Sequence, residues 1–386
     1  MIIQAPSVVT DSVVWSPGWV QIEGRHVVRS GRGIVPRPLQ GEASVRVQGT
    51  IVPGFVDIHT HGANGISYSE AANGVPIESA LDWQLKHGVT TTIASLASAS
   101  MEDLTAQMAA LDKYCAAGLI RGVHLEGPWL SPRNRGAHSA KLLRAPAAAD
   151  VASLLAASRN IRMVTIAPEL KGALPAIRAI VRAGAVAAIG HTSSDEATAR
   201  AAIDAGATVA THIFNGMPQL HHRQMGPVGA ALLDPRVFLE LILDGHHLSQ
   251  SAVDLVLGIA KARAMAVSDS IAATGVADGD YSLAGSEIRV RDGTARAVDT
   301  DSLAGSTKSL DSAFRRLITE NNFTLSEAVG ATSTRAAQAL GLRDVGHFAT
   351  GALADLIVLD GSLDVVAVLH QGVWVEGLPL VVSVQN

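Results

Sequence analysis

From the N-terminus, apolar positions alternate with polar ones in short runs, SVVT, GWVQIEG, RHVVRSG and ASVRVQG, punctuated by Gly and Pro. A period of two predicts strands, and no helical period runs through this stretch. The chain from Ala354 onward has the same character in ADLIVLD, VVAVLHQG and VWVEG. Two strand-rich ends around a different middle predict one small β-sandwich built from both termini, over residues 1–50 and 346–386.

Between them the pattern changes. Nearly continuous apolar runs predict buried strands: IVPGFVDIHTHG, GVTTTIASL, IRGVHLEGP, IRMVTIAPE, AVAAIGHTS, ATVATHIFNG, VFLELILDGHH and AMAVSDSIAATG. Helical stretches such as MEDLTAQMAALDKYCAAG, ALPAIRAIVRAG, SDEATARAAIDAG and QSAVDLVLGIAKAR separate most of them. Eight strands alternating with helices suit a closed (β/α)8 TIM-like barrel, here over 51–345.

Composition narrows the class. With 386 residues, 48% of them apolar and 17% charged, the chain can bury a sizeable core. The net charge is −5 and no basic run exceeds Arg315-Arg316, which argues against a nucleic-acid partner. No apolar run approaches membrane-spanning length, and MIIQAPSVVTDSVVW lacks the basic start and apolar stretch of a signal peptide. Cys115 is the single cysteine and falls in a helical stretch, so it reads as a packed thiol in a reducing compartment. A soluble cytoplasmic protein is expected.

In a barrel of this kind the working residues stand at the C-terminal ends of the strands, and the polar residues of this chain gather there. His59 and His61 are two apart on the first strand, so both imidazoles face one side and can reach one ion. Among fourteen histidines such a pair arises readily by chance; its position directly after PGFVD gives it weight. Glu126 follows an apolar run in VHLEGP, where a carboxylate is costly to bury unless paired or bound to a metal. His191 ends AVAAIGH and His212 ends ATVATH; each alone reads equally as a hydrogen-bonded core histidine. Taken with the first pair and Glu126, they make a site for one or two divalent ions. Asp269, in AVSDSIAATG, can accept a proton from a metal-activated water attacking an amide carbonyl and return it to the leaving amine. Its plainer reading is a helix N-cap. His124 shares the face of Glu126, His221 and His222 share a loop with Arg223, and His26, His87, His347 and His370 read as structural. The glycine-rich GANG and DGTA lack the context of a nucleotide site.

PGFVDIHTHG, HLEGPWL with the GAH after it, TIAPE, GHT, ATHIFNGMP, DGHHL, SDSIAATG and LAGST follow one another in a single order. In this the chain resembles the N-acetylglucosamine-6-phosphate deacetylases of the amidohydrolase superfamily, over essentially its whole length. HLEGPWL–GAH and ATHIFNGMP are the more specific motifs; HTH and ADLIVLD are shared by many amidohydrolases. The resemblance implies that His59, His61, Glu126, His191 and His212 are metal ligands and Asp269 the catalytic acid/base. It further implies that Ala137, His138, Asn215, Gly216, Arg223, His247 and the turn Leu303, Ala304, Gly305 hold the sugar. Arg223 would reach the phosphate in the neighbouring subunit of a homodimer, with His247 assisting. The chain departs from the family pattern at Gly216 (FNGMP for FNAMP), at Arg223-Gln-Met-Gly (for REPG) and at His246. Some relatives lack the first-strand pair and work with one metal; this chain keeps it. Strand four carries no lysine to bridge two ions, which leaves that part to Glu126.

The expected reaction is hydrolysis of N-acetyl-D-glucosamine 6-phosphate to glucosamine 6-phosphate and acetate, with zinc, iron or cobalt as the ion. Its rivals are the same reaction on the galacto epimer, another amidohydrolase of the dihydroorotase or acylamino-acid type, and a catalytically silent metal-binding protein.

Overall fold

The computed structural model describes residues 1–33, 43–376 and 382–385. Parts of the predicted terminal domain therefore lie outside the described residues. Contacts divide the chain into two units: Met1–Asp57 with Asp82–Thr91 and Ser309–Asn386, and Ile58–Leu81 with Thr92–Lys308.

In the first unit the strand-rich ends form two sheets. Ile2–Ala5 pairs with Gly18–Glu23 on one side and Ser44–Val47 on the other, and Val382–Gln385 adds to the latter. Leu356–Leu359 pairs antiparallel with Thr50–Pro53 and with Val365–His370. Ile3, Val20 and Val45 of one sheet share a buried cluster with Val8, Ile51, Leu356 and Leu369 of the other. That is the predicted sandwich, with its alternate residues turned inward.

The predicted barrel is present as eight strands in sequential order: β1 (Phe55–Thr60), β2 (Val89–Ala97), β3 (Val123–Glu126), β4 (Ile161–Ile166), β5 (Val186–Ile189), β6 (Ala207–Ala210), β7 (Phe238–Ile242) and β8 (Ala264–Val267). From β2 to β8 each pairs in parallel with the next. Closure comes from the backbone just beyond β8: Asp269 N donates to His59 O at 2.9 Å and His61 N to Ser270 O at 2.7 Å.

The helices follow local rules. Met101–Ala116 starts at Ser100, whose hydroxyl accepts from Asp103 N, and buries Leu104, Met108 and Leu111 on one face. Ala173–Arg182 buries Ala173, Ala176, Ile177 and Ile180. Cys115 lies in the first of these helices, half-buried.

One predicted strand proves to be two. IVPGFVDIHTHG breaks at Gly54: Thr50–Pro53 belongs to a sandwich sheet and Phe55–Thr60 to the barrel. A Cβ on Gly54 would stand 2.0 Å from Thr90 Oγ1, so only glycine fits this crossing point.

Between β8 and the next helix lies a three-stranded antiparallel insert, Asp280–Leu283, Ser286–Arg291 and Thr294–Ala297. Its inward residues Ile288, Val290, Ala295 and Ala297 pack with Ala137, Ile271 and Ala304, bringing the 303–305 turn to the barrel mouth.

Candidate metal centre

The six predicted metal-site and acid/base residues converge at the C-terminal ends of the strands, all at most 7% exposed. They reach that point in two ways. His59 and Glu126 lie within regular strands, and His61 lies one residue past β1. His191, His212 and Asp269 each stand two residues beyond the ends of β5, β6 and β8, with φ of 44°, 28° and 46°. Left-handed backbone at a non-glycine residue costs on the order of 1–3 kcal/mol and persists only where the surroundings impose it. The surroundings do so through main-chain bonds: Ser306 N donates to Asp269 O, Ser131 N to His191 O and Asn215 N to His212 O.

Ligand atoms fall into two groups of three, His59–His61–Asp269 and Glu126–His191–His212, each within 4.8 Å of one another. Glu126 connects them. Its Oε1 lies 3.0 Å from His212 Nε2, 3.2 Å from His191 Nε2 and 3.5 Å from His59 Nε2, while Oε2 lies 3.2 Å from His61 Nε2. Asp269 Oδ1 is 3.4 Å from both His59 Nε2 and His61 Nε2.

Hydrogen-bond partners on the far side of the rings assign their protons. His191 Nδ1 is 2.8 Å from Asn134 O and His59 Nδ1 is 3.0 Å from Glu240 Oε2. A carbonyl or carboxylate oxygen only accepts, so each Nδ1 donates, and each Nε2 is the ring atom turned towards the centre. His191 Nε2 and His212 Nε2 are only 3.0 Å apart. Two imidazole nitrogens crowd there against the Glu126 carboxylate, an arrangement that a cation would relieve. The donor set, imidazole and carboxylate, suits a divalent ion.

Electrostatics agree. Burial disfavours the ionised form of Glu126, yet His59, His138 and His191 hold its carboxyl well below the usual range. Asp269 is likewise held down against burial, chiefly by His59 and then His61. Burial lowers His61, but Asp269 and Glu126 outweigh it and raise it to about 8. His59 is raised for the same reasons, against the same burial. His138 goes the other way: burial, only partly offset by Glu126, pushes it down to about 4. Its Nδ1 accepts from Ser98 N at 3.3 Å, so neutral His138 carries its proton on Nε2, 3.4 Å from Glu126 Oε2.

A cavity of about 220 Å³ opens over these groups, lined also by Ala137, His138, Asn215, Gly216, His247 and the 303–305 turn. Of the residues predicted to hold substrate, Arg223 alone is not among its lining residues; it is exposed on the 221–224 loop. His247 lines the cavity whereas His246 is exposed, and His247 Nδ1 donates to Asp244 Oδ2 at 2.8 Å. His124 lies beneath the centre between Ser95 Oγ and Thr165 Oγ1; burial, reinforced by His59, lowers its pKa far enough to keep it neutral.

The amidohydrolase family pattern matches residues 50–382, a span that contains every one of these ligands. The chain belongs to the amidohydrolase family. Among its relatives in that family, an N-acetylgalactosamine-6-phosphate deacetylase of Escherichia coli O157:H7 is 34% identical over 368 residues, 93% of this chain and 95% of the relative. An N-acetylglucosamine-6-phosphate deacetylase of Bos taurus is 34% identical over 340 residues, 84% and 83% of the two chains. The fold is similar to that of a substituted form of N-acetyl-D-glucosamine-6-phosphate deacetylase from Mycobacterium smegmatis, solved in complex with N-acetyl-D-glucosamine-6-phosphate. There the TM-score is 0.92 and the identity 41%, over 97% of this chain and 99% of the other. This amidohydrolase is therefore a hydrolytic enzyme of the N-acetylglucosamine-6-phosphate deacetylase branch, with a centre built for a divalent metal.

Three residues that act on this centre escaped the sequence reading. Glu240 was a charged residue inside the apolar run FLELIL, a signal that could have marked it. Asn134 acts through its carbonyl, which no sequence pattern displays. Glu169, in TIAPE, binds Thr192 Oγ1 at 2.5 Å and Ser193 N at 2.6 Å, tying down the turn after His191.

Proposed function

We propose that the enzyme hydrolyses N-acetyl-D-glucosamine 6-phosphate to glucosamine 6-phosphate and acetate. The observation that carries this reading is the convergence of two three-residue groups, one of them containing Asp269, beneath a cavity lined by His138, Asn215, His247 and the 303–305 turn.

In this reading His59, His61, Glu126, His191 and His212 would hold one or two divalent ions, with zinc, iron and cobalt as the chemically suited choices. Bound there, a divalent ion would supply Lewis acidity to a water and to an acyl carbonyl. Asp269, kept ionised by His59 and His61, takes the proton from the attacking water and delivers it to the departing amine nitrogen. His138 stays neutral, and its Nε2–H donates to the acyl oxygen or to a sugar hydroxyl. Asn215, the backbone of Ala137 and Gly216, and Leu303, Ala304 and Gly305 position the sugar. His247, oriented by Asp244, meets the phosphate.

Arg223 points to a homodimer: it is exposed and outside the cavity of its own chain, as a guanidinium serving the neighbouring phosphate would be. As a functional division we take 1–50 and 346–386 as the sandwich and 51–345 as the catalytic barrel. Among the described residues no helix is long and apolar enough to cross a membrane, and a cytoplasmic location belongs to the same proposal.

A second reading, the galacto epimer, is favoured by the E. coli relative. Acetate release from both phosphorylated epimers and both unphosphorylated sugars separates the two. Preferential turnover of the phosphorylated gluco sugar supports the first reading; preference for its epimer, or no acetate from either, overturns it. Arg223→Ala should lower kcat/KM on the phosphorylated sugar by tens-fold, the loss of about 1.5–3 kcal/mol of charge-assisted bonding, and spare the unphosphorylated one. Equal losses on both would remove the phosphate role. Mixing Arg223→Ala with Asp269→Asn should regenerate activity if the arginine crosses the interface.

A further inference from the structure

We infer that Glu240 is a positioning residue whose charge couples the two halves of the metal centre. It stands on β7, from which no ligand comes, and is fully buried in the barrel interior. One oxygen, Oε2, accepts two bonds: from the His59 ring Nδ1 at 3.0 Å and from the His212 main-chain N at 3.1 Å. His59 belongs to one ligand group and His212 to the other. The same carboxylate thus sets the tautomer of the first histidine and satisfies the N–H of the second where its backbone is left-handed, at φ 28°. Its other oxygen, Oε1, is buried with no hydrogen-bond partner.

An anionic side chain in this state is expensive unless positive charge lies close by. No Lys or Arg pairs with Glu240 among the described residues; its ion pair is with His59. His59 is a relay, for its Nε2 faces Glu126 and Asp269 at the centre. A carboxylate behind a ligating imidazole raises the basicity of the ligating nitrogen and locks the ring, and removing such a partner typically lowers metal affinity about 10–100-fold. Here it also holds the turn that presents His212, so its loss reaches both ligand groups.

The inference rests on the proposed metal centre but not on the identity of the substrate. Both bonds use one oxygen, so Glu240→Gln keeps an acceptor in place while removing the charge. Zinc affinity measured by competition with a chromophoric chelator, and the visible absorption of the cobalt(II)-loaded protein, are compared for wild type, Glu240→Gln, His59→Gln and the double variant. The expected result is a 10–100-fold weaker zinc affinity in Glu240→Gln, an altered cobalt spectrum, and a double variant little worse than His59→Gln in the first ligand group. The chelated Glu240→Gln protein should still fold, and added ion should restore turnover. Wild-type zinc affinity in Glu240→Gln, or additive losses in the double variant, overturns the inference. Should Glu240→Gln not fold, Glu240→Asp decides: affinity below wild type supports the role and unchanged affinity refutes it. Failure to release acetate from any sugar phosphate, with zinc binding still sensitive to Glu240, would instead remove the functional reading and leave this one standing.

Discussion

The two sides of the metal centre are built differently. On β1 and β3 the strands themselves deliver His59 and Glu126, with His61 next to the strand end, so alternation along a regular strand places all three. On β5, β6 and β8 the site residues come two residues late, on left-handed turns at His191, His212 and Asp269. The first side is held by the barrel ladder, with His59 O accepting from Asp269 N at its end. The second stores strain and depends on its bonds to Glu169, Asn134, Glu240 and the 306 backbone.

Removing the ion should break the comparison open. Chelation is expected to abolish turnover, with recovery on adding a divalent ion. Hydrogen exchange should then rise at 190–193, 211–215 and 268–270 while 57–60 and 123–126 stay protected. Full activity in a verified ion-free preparation would end the mechanism, and uniform exchange would end the distinction between the two sides.

The next largest effect is expected at Asp269. Asp269→Asn keeps the shape of a turn-borne residue but loses the proton acceptor, so kcat should fall on the order of 10²–10⁴-fold with bound metal largely retained. A loss within about threefold would mean that the proton travels elsewhere.

Gly216 sharpens the comparison on the strained side. It has φ +61°, and a Cβ there would approach His191 Nδ1 to 2.8 Å. Gly216→Ala should cost about 1–2 kcal/mol of stability and weaken ion binding through His191. A variant with unchanged Tm and ion affinity would show that this turn has slack.

The smallest effect concerns protons in the ion-free protein. His61 is raised to about 8, above its unfolded value of about 6.5. Its contribution to stability is therefore complete below pH ~6.5 and is lost as pH rises through ~8. The chelated enzyme should lose a few degrees of Tm between pH 6 and 9, and the ion-loaded enzyme should lose less. Equal pH dependence in both forms would mean that His61 does not exchange its proton for the ion.

Much of this was readable in advance, for identifiable reasons. The eight barrel strands and the sandwich ends follow from periods that are local to each segment. The HTH pair, Glu126 and the histidines closing β5 and β6 mark themselves as polar residues where apolar runs stop. The division of IVPGFVDIHTHG between two sheets was not read, because the run is apolar on both sides of Gly54 and its backbone turns from Asp355 O to Gly88 O only in the folded chain. Nor was the role of Glu240, which looks like an interruption of a strand until the barrel closes around it.

By itself the sequence determined which strands form and which chemical groups stand at their ends, since alternation, apolar run length and residue type are properties of short stretches, while the order of its longer motifs carried the resemblance to the amidohydrolases. Tertiary structure alone decided that His247 and not His246 lines the cavity, that three site residues ride on left-handed turns, and that Glu240 grips a histidine 181 residues away. The reason is physical: these choices are made by hydrogen bonds between strand ends that meet only when the barrel is closed, and by a desolvated interior in which each buried donor and acceptor must find its partner.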